Sequence, residues 1–171
     1  MRPRELRGAL VELRPLEAAD GDALETMFAE PAVARWWNGY DRARIEEELL
    51  ADDGDSVRFA IVVSGDVAGV IQYSEEPDPD YRRAAIDIAV ATRWHGRGVA
   101  VDAIRTVARY LIDQLGHHHL TIDPAADNGR AIAAYAKVGF KPVGILRENE
   151  RSPDGSFHDT MLMDLLAAEL T

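Results

Sequence analysis

Apolar residues along the chain recur with two periods, every second residue in some stretches and every third or fourth in others, the signatures of strand and helix. Residues 8–14 read as a short strand. Asp20 stands where a helix cap belongs, ahead of a helical stretch over 21–29, and Pro31 opens a second short piece, PAVARWW. Over 42–51, Ile45, Leu49 and Leu50 share a helical stripe while Glu46, Glu47 and Glu48 turn outward. VRFAIVV (57–63) and VAGVIQY (67–73) flank a Gly65-Asp66 turn and form a hairpin. A proline-broken acidic loop over 75–80 leads to a third β-rich run, 82–91. There, alternation puts Ile86, Ile88 and Val90 on one face and Ala85, Asp87 and Ala89 on the other. A long helix over about 99–115 follows, striped by Val101, Ile104, Val107, Ala108 and Leu111. Next come a strand over 119–123 and a helix over 129–138 with Gly139 suited to its C-cap. Two closing strands flank a turn at Pro153, Asp154 and Gly155. With no repeat or linker, the pattern predicts one α/β (α+β) domain over residues 1–171, largely antiparallel in front and strand–helix–strand–helix behind.

Composition narrows the chemistry. The chain has 171 residues, 30 acidic against 19 basic, and a net charge of −11. That balance disfavours nucleic acid and anionic lipid and favours cationic partners. There is no cysteine, which removes disulfides, thiolate metal sites and a Cys nucleophile. No apolar run approaches the ~18 residues of a membrane span, and the opening residues lack an apolar signal region, so a cytoplasmic protein is expected. His117, His118 and His119 are consecutive, and neighbours on a strand face opposite ways, so no metal is expected there. The acidic groups at 46–48, 52–55 and 75–80 could concentrate a cation or simply be solvated faces.

The sharpest motif is Arg93-Trp94-His95-Gly96-Arg97-Gly98-Val99-Ala100, between a buried strand and a long helix. Glycines let backbone approach a ligand, and the amides of His95 to Ala100 at a helix N-terminus suit a pyrophosphate. A dinucleotide fingerprint fits poorly because Val101 stands at its last position, and no Gly-Lys-Ser/Thr P-loop is present. A tight strand-to-helix turn is the alternative reading.

In this context R-x-x-G-x-G resembles the acetyl-coenzyme A loop of the GNAT superfamily of N-acetyltransferases. The block D-N-G-R-A-I-A-A-Y-A-K-V-G-F is similar to that superfamily's next motif. The resemblance implies a GNAT-like mixed sheet of six to seven mostly antiparallel strands, with a central splayed parallel pair and about four flanking helices. It implies acetyl-CoA as co-substrate, without a metal. Its expected contacts are the backbone of Ile88, Ala89 and Val90, the loop His95, Gly96, Arg97, Gly98, Val99 and Ala100, and the side chains of Asn128 and Tyr135. Seven residues separate Asn128 from Tyr135, so both share a helix face. The resemblance gives Tyr135 the role of acid or hydrogen-bond donor to the coenzyme A sulfur; half-buried packing is its alternative. Asp87, flanked by alanines, is the candidate to accept the amine proton or bind the ammonium; pairing with Arg82 or Arg83 is its alternative.

A finer resemblance concerns the acceptor. P-x-V-x-x-W-W-x-G over 31–39, the T-I-D-P segment over 121–124, Val70-Ile71-Gln72, Ile86-Asp87 and the 153–155 turn look like blocks of aminoglycoside 6′-N-acetyltransferases, with Ile122 inserted or the register shifted by one. That likeness makes Trp36, Trp37, Gln72, Asp87, Asp123 and Asp154 substrate-binding candidates, with one of the two tryptophans a possible core anchor. The expected reaction is direct transfer of acetyl to a primary amine of a small cation, most closely an aminoglycoside 6′-amine. Siderophore hydroxylamine acyltransferases, ribosomal-protein N-terminal acetyltransferases and a non-catalytic coenzyme A-binding domain are the alternatives. Monomer and homodimer both stay open.

Overall fold

The computed structural model describes residues 5–52 and 54–171. Eight strands form one sheet: β1 Leu6–Arg7, β2 Glu12–Pro15, β3 Ser56–Val63, β4 Asp66–Glu75, β5 Ala84–Val90, β6 His119–Ile122, β7 Lys141–Arg151 and β8 Phe157–Leu166. Their spatial order is β1-β2-β3-β4-β5-β6-β8-β7. Among the described residues five α-helices accompany them: α1 Gly21–Phe28, α2 Pro31–Ala34, α3 Arg42–Ile45, α4 Val99–Asp113 and α5 Gly129–Ala136. The expected α/β sheet, mostly antiparallel with one parallel pair, is the architecture found.

The strand count rises from seven to eight because Leu6–Arg7, ahead of the predicted strand over 8–14, pairs with β2, and residues 8–11 form the turn between them. Asp102, buried near the start of α4, accepts hydrogen bonds from the amides of Ala9 (3.1 Å), Leu10 (2.7 Å) and Val11 (3.0 Å). Those three donors leave the ladder and turn the chain between β1 and β2. Asp20 also departs from expectation. It precedes α1 but makes no side-chain cap there. Its carboxylate instead takes two bonds from Arg14, at 2.9 and 2.8 Å, and one from the Glu17 amide at 2.8 Å. The helix predicted over 42–51 is α3 followed by a wider π-type turn, Glu46–Leu50, and Glu48 turns inward onto the Tyr40 hydroxyl (2.6 Å) and Arg44 (2.9 Å).

The hairpin of β3 and β4 turns at Ser64 and Gly65, both in the left-handed region (φ 51° and 84°), the geometry whose twist matches antiparallel strands. One core lies between the sheet and α4, where Ile104, Val107 and Leu111 are wholly enclosed. Each such side chain contributes roughly 2 kcal/mol by leaving water. The second core lies under α1 to α3 and takes in Leu24, Met27, Phe28, Ile45, Val70 and Ala89. The alternation of β5 is therefore as predicted: Ile86, Ile88 and Val90 join the α4 side, and Ala89 joins the other.

The feature that makes a site is the parting of β5 from β6. The two run parallel but register at only two positions, Ala84 with Leu120 and Ala85 with Thr121. Beyond them β5 continues to Val90 while still paired with β4, so β6 leaves its other edge unpaired over Asp87 to Val90. No helix among the described residues is long and apolar enough to cross a membrane.

Candidate functional site

Two cavities open along the parted strands. The first, of about 300 Å³, is lined by Ile88, Ala89, Val90, Trp94, His95, Gly96, Gly98, Val99, Ala100 and Val101 on one side. Asn128, Arg130, Ala131, Ala134, Tyr135 and Lys137 line the other. Nearly every residue expected to hold the acetyl donor is here. Arg97 is not in this lining; its guanidinium stacks over the Trp94 ring, 5.7 Å from the centroid.

The loop is shaped by its glycines. Gly96 and Gly98 have φ of +69° and +80°, and a Cβ at Gly96 would meet nothing within 4 Å. Asp102 N–H to Gly98 O is the first bond of α4. Among the described residues the amides of Gly96 to Ala100 have no acceptor, and they add to the positive end of the helix dipole. His95 is locked by two bonds: its Nε2 lies 2.7 Å from Val90 O, and its Nδ1 lies 2.8 Å from an Arg130 nitrogen. Arg130 can only donate, so Nδ1 accepts and Nε2 carries the proton to Val90 O. This places the Arg130 guanidinium beside the loop. The sequence reading missed Arg130, although it stands two residues after Asn128 in the motif.

The second cavity, of about 310 Å³, is polar. Asp87, Asp123 and Glu150 supply its carboxylates, and Arg44 and Arg151 its cations. Arg44 is already matched by Glu48, at 2.9 Å, and lies 4.2 Å above the Tyr40 ring. The two cavities share Trp36, Trp37, Ile88, Asn128 and Tyr135, so they adjoin along those five residues. Tyr135 comes from α5 on one side of the sheet. Asp87 points to the face under α1 to α3. They line the same cleft because no strand closes the gap between them.

Asp87 is open to water within the cleft but surrounded by protein. Its two oxygens accept from Gln72 Nε2 (3.3 Å) and the Ile88 amide (3.0 Å), and Arg58 Nε in turn donates to Gln72 Oε1 (3.2 Å). Burial, aided by the charges of Asp123 and Glu150, outweighs those bonds and pushes its pKa up to about 6. Arg82 and Arg83 are not its partners: Arg82 bonds the Leu115 carbonyl and Arg83 pairs with Glu76. Burial also raises Asp123, against a bond from Asn149 Nδ2 at 3.3 Å. Tyr135 is raised well above the ordinary phenol value, first by burial and then by Asp87 and Asp123, so its hydroxyl stays protonated.

Trp37 packs among Phe28 and Tyr40, with centroids at 5.2 and 5.3 Å, and so anchors the second core as well as lining the cleft. Trp36 lines both cavities, with Arg35 over its ring at 4.5 Å. Asn128 caps α5 by accepting from the Ala131 amide at 3.2 Å. Asp154 is not brought to the cleft. It sits in the β7–β8 turn, bound to the amide and hydroxyl of Ser156 at 2.9 and 2.6 Å. Glu150, which the sequence reading did not name, is the acid that β7 contributes. The acidic groups outside the cleft have other partners: Glu46 pairs with Arg42, Glu75 with His117 and Glu76 with Arg83, while Asp53 lies outside the described residues. His117, His118 and His119 do not converge: His117 meets Glu75 (2.6 Å) and His119 meets Asp164 (3.2 Å). Among the described residues no group of three or more His, Asp and Glu side chains could hold a metal ion.

The acetyltransferase (GNAT) domain family matches residues 11–141 of this chain. The chain belongs to the GNAT acetyltransferases. This GNAT enzyme is an acetyl-CoA-dependent N-acetyltransferase. It is similar to spermidine N(1)-acetyltransferase of Escherichia coli (strain K12), 30% identical over 142 residues, 80% of this chain and 75% of the relative. Among solved structures it superposes on Mycobacterium smegmatis RimJ in complex with CoA-disulfide, with a TM-score of 0.83 at 23% identity, covering 99% of this chain and 92% of that one. It also superposes on spermidine N-acetyltransferase from Vibrio cholerae in complex with CoA and spermine, with a TM-score of 0.79 at 22% identity, covering 94% and 98%. At those identities the two structures establish the shared fold. The relatives include spermidine, L-amino acid and putative ribosomal N-acetyltransferases and do not point specifically to aminoglycoside 6′-N-acetyltransferases, so that finer likeness rests on the sequence blocks alone.

Proposed function

We propose that this GNAT enzyme acetylates a primary amine of a small oligocationic acceptor, by direct transfer, where its two cavities meet. The observation that carries this reading is the shared lining of the cavities at Tyr135, with loop amides on one side and three carboxylates on the other. Acetyl-CoA supplies an activated thioester. The free amides of Gly96 to Ala100, with Arg130 and Lys137 nearby, suit its diphosphate, and the edge of Ile88 to Val90 that β6 leaves unpaired suits the amides of its arm.

The acceptor amine must shed a proton before it can attack. Asp87, ionised above about pH 6, is the group to anchor the ammonium and take that proton, directly or through water. Gln72 and the Ile88 amide hold the carboxylate in place. The new N–C bond forms as the C–S bond breaks, and the electron pair goes to sulfur. Tyr135 keeps its proton, so it serves the departing sulfur as a hydrogen-bond donor; full transfer would leave a tyrosinate that its surroundings disfavour. Trp36 and Trp37 give the cleft an apolar wall for the carbon skeleton.

Linear polyamines and aminoglycosides are both polycations with primary amines. The spermidine N-acetyltransferases among the relatives favour the first, and the W-W and T-I-D-P blocks favour the second. The test is thiol release from acetyl-CoA by the purified protein with spermidine, spermine, a kanamycin-type panel, amino acids and basic N-terminal peptides. Turnover with polyamines or aminoglycosides supports the reading. Turnover confined to amino acids or peptides, or none at all, overturns it.

A further inference from the structure

Glu150 reaches the cleft through an irregularity in β7. The strand pairs Leu146 with Thr160 and then Glu150 with His158, so three residues, 147–149, face one residue of β8. Glu148 absorbs the excess in the left-handed region, φ 47°, with its amide on Asp159 Oδ1 at 2.8 Å. A side chain other than Gly, Asn or Asp is uncommon there, and bulges of this kind re-aim side chains next to functional sites. Within the bulge Asn149 turns to Asp123 and Thr160, and beyond it Glu150 joins the cleft lining.

His158 stands across from Glu150, with Nε2 3.5 Å from Oε2. That nitrogen is shielded from water and makes no hydrogen bond. Nδ1 lies 2.8 Å from Ser152 Oγ. Ser152 is itself fixed, its amide on Ser156 O (2.7 Å) and its carbonyl taking the Gly155 amide (2.9 Å). If Ser152 donates to Nδ1, the ring proton must sit on Nε2; if the ring is charged, Nε2 is protonated as well. Only a neutral ring protonated on Nδ1 would turn a lone pair on the carboxylate, an arrangement electrostatics disfavours. In either favourable state an N–H faces Glu150.

We propose that His158, set by Ser152, is a positioning residue that holds Glu150 as the anchor for a second ammonium group of the acceptor. The inference rests on the amine-acceptor reading above. The reacting amine sits at Asp87, and the second charge lies between Glu150 and Asp123. Burial and Asp123 both favour the protonated form of Glu150, and His158 opposes them, so losing the imidazole weakens the anchor.

The test compares spermidine with butylamine, which has one charge, in wild type, His158→Ala and His158→Gln. In His158→Ala, KM for spermidine should rise on the order of tenfold, the scale of losing a charge-assisted contact. Its kcat, its KM for butylamine and its Kd for coenzyme A should hold. His158→Gln, which can still present an N–H, should recover most of the loss. An equal rise for both amines, a fall in kcat, or an unchanged KM for spermidine overturns the role of His158 and leaves the function standing. A wild type that acetylates no amine overturns both.

Discussion

Replacing Asp87 with Asn removes a charge but little volume, and it separates proton acceptor from passive anchor. A carboxyl with a pKa of about 6 is roughly nine-tenths ionised at pH 7 and roughly one-tenth ionised at pH 5. If Asp87 takes the amine proton, wild-type kcat/KM falls about tenfold between those pH values, with unit slope below pH 6. The sign follows from burial: the protonated form is favoured, so the active carboxylate is lost as pH falls through 6 rather than through the ordinary carboxylate range near 4. Asp123, Glu150 and Gln72 face this group, and the two acids titrate upward with it. The Asn variant should lose about 10²-fold or more in kcat and should also lose the acid limb. The assay is thiol release at saturating acetyl-CoA with varied amine from pH 5 to 9. An Asn variant that keeps kcat and raises only KM would make Asp87 an anchor alone. One that keeps the acid limb would assign that limb to another group and refute the reasoning.

Tyr135→Phe keeps the buried ring and removes the donor; kcat should drop about 10²-fold with little change in either KM, as initial rates will show. Asp102→Ala leaves the amides of Ala9, Leu10 and Val11 without their acceptor, a loss of about 3 kcal/mol. On a chain of this size that is a Tm lower by roughly 6–12 °C, and a fall of under 2 °C would count against the β1–β2 turn described above. Gly69→Ala would set a Cβ 2.1 Å from the Ala89 carbonyl, on the strand lining the first cavity. Overpacking there should destabilise by about 1–3 kcal/mol and weaken coenzyme A binding, measurable by melting and calorimetry.

Local pattern carried much of this fold. The alternation in β5 placed Asp87 opposite Ile86 and Ile88, and two glycines before a striped helix marked the loop. What it could not carry depends on contacts between distant residues. Nothing around residue 10 signals that its amides turn to Asp102, more than ninety positions away. A period-2 pattern cannot run through β7, because it breaks at Glu148, where the left-handed residue is neither Gly nor Asn; that bulge brings Glu150 to the cleft, while Asp154, expected from the resemblance, sits in a turn outside it. Arg58 and Gln72 support Asp87 only because β3, β4 and β5 are adjacent and in register.

The most direct test of the central claim is a crystal structure of the protein with coenzyme A and spermidine. The account predicts the diphosphate on the amides of Gly96 to Ala100, the sulfur within hydrogen-bond reach of the Tyr135 hydroxyl, and a primary amine beside Asp87. Coenzyme A bound away from that loop, or an amine seated outside the Asp87–Asp123–Glu150 cleft, would contradict it.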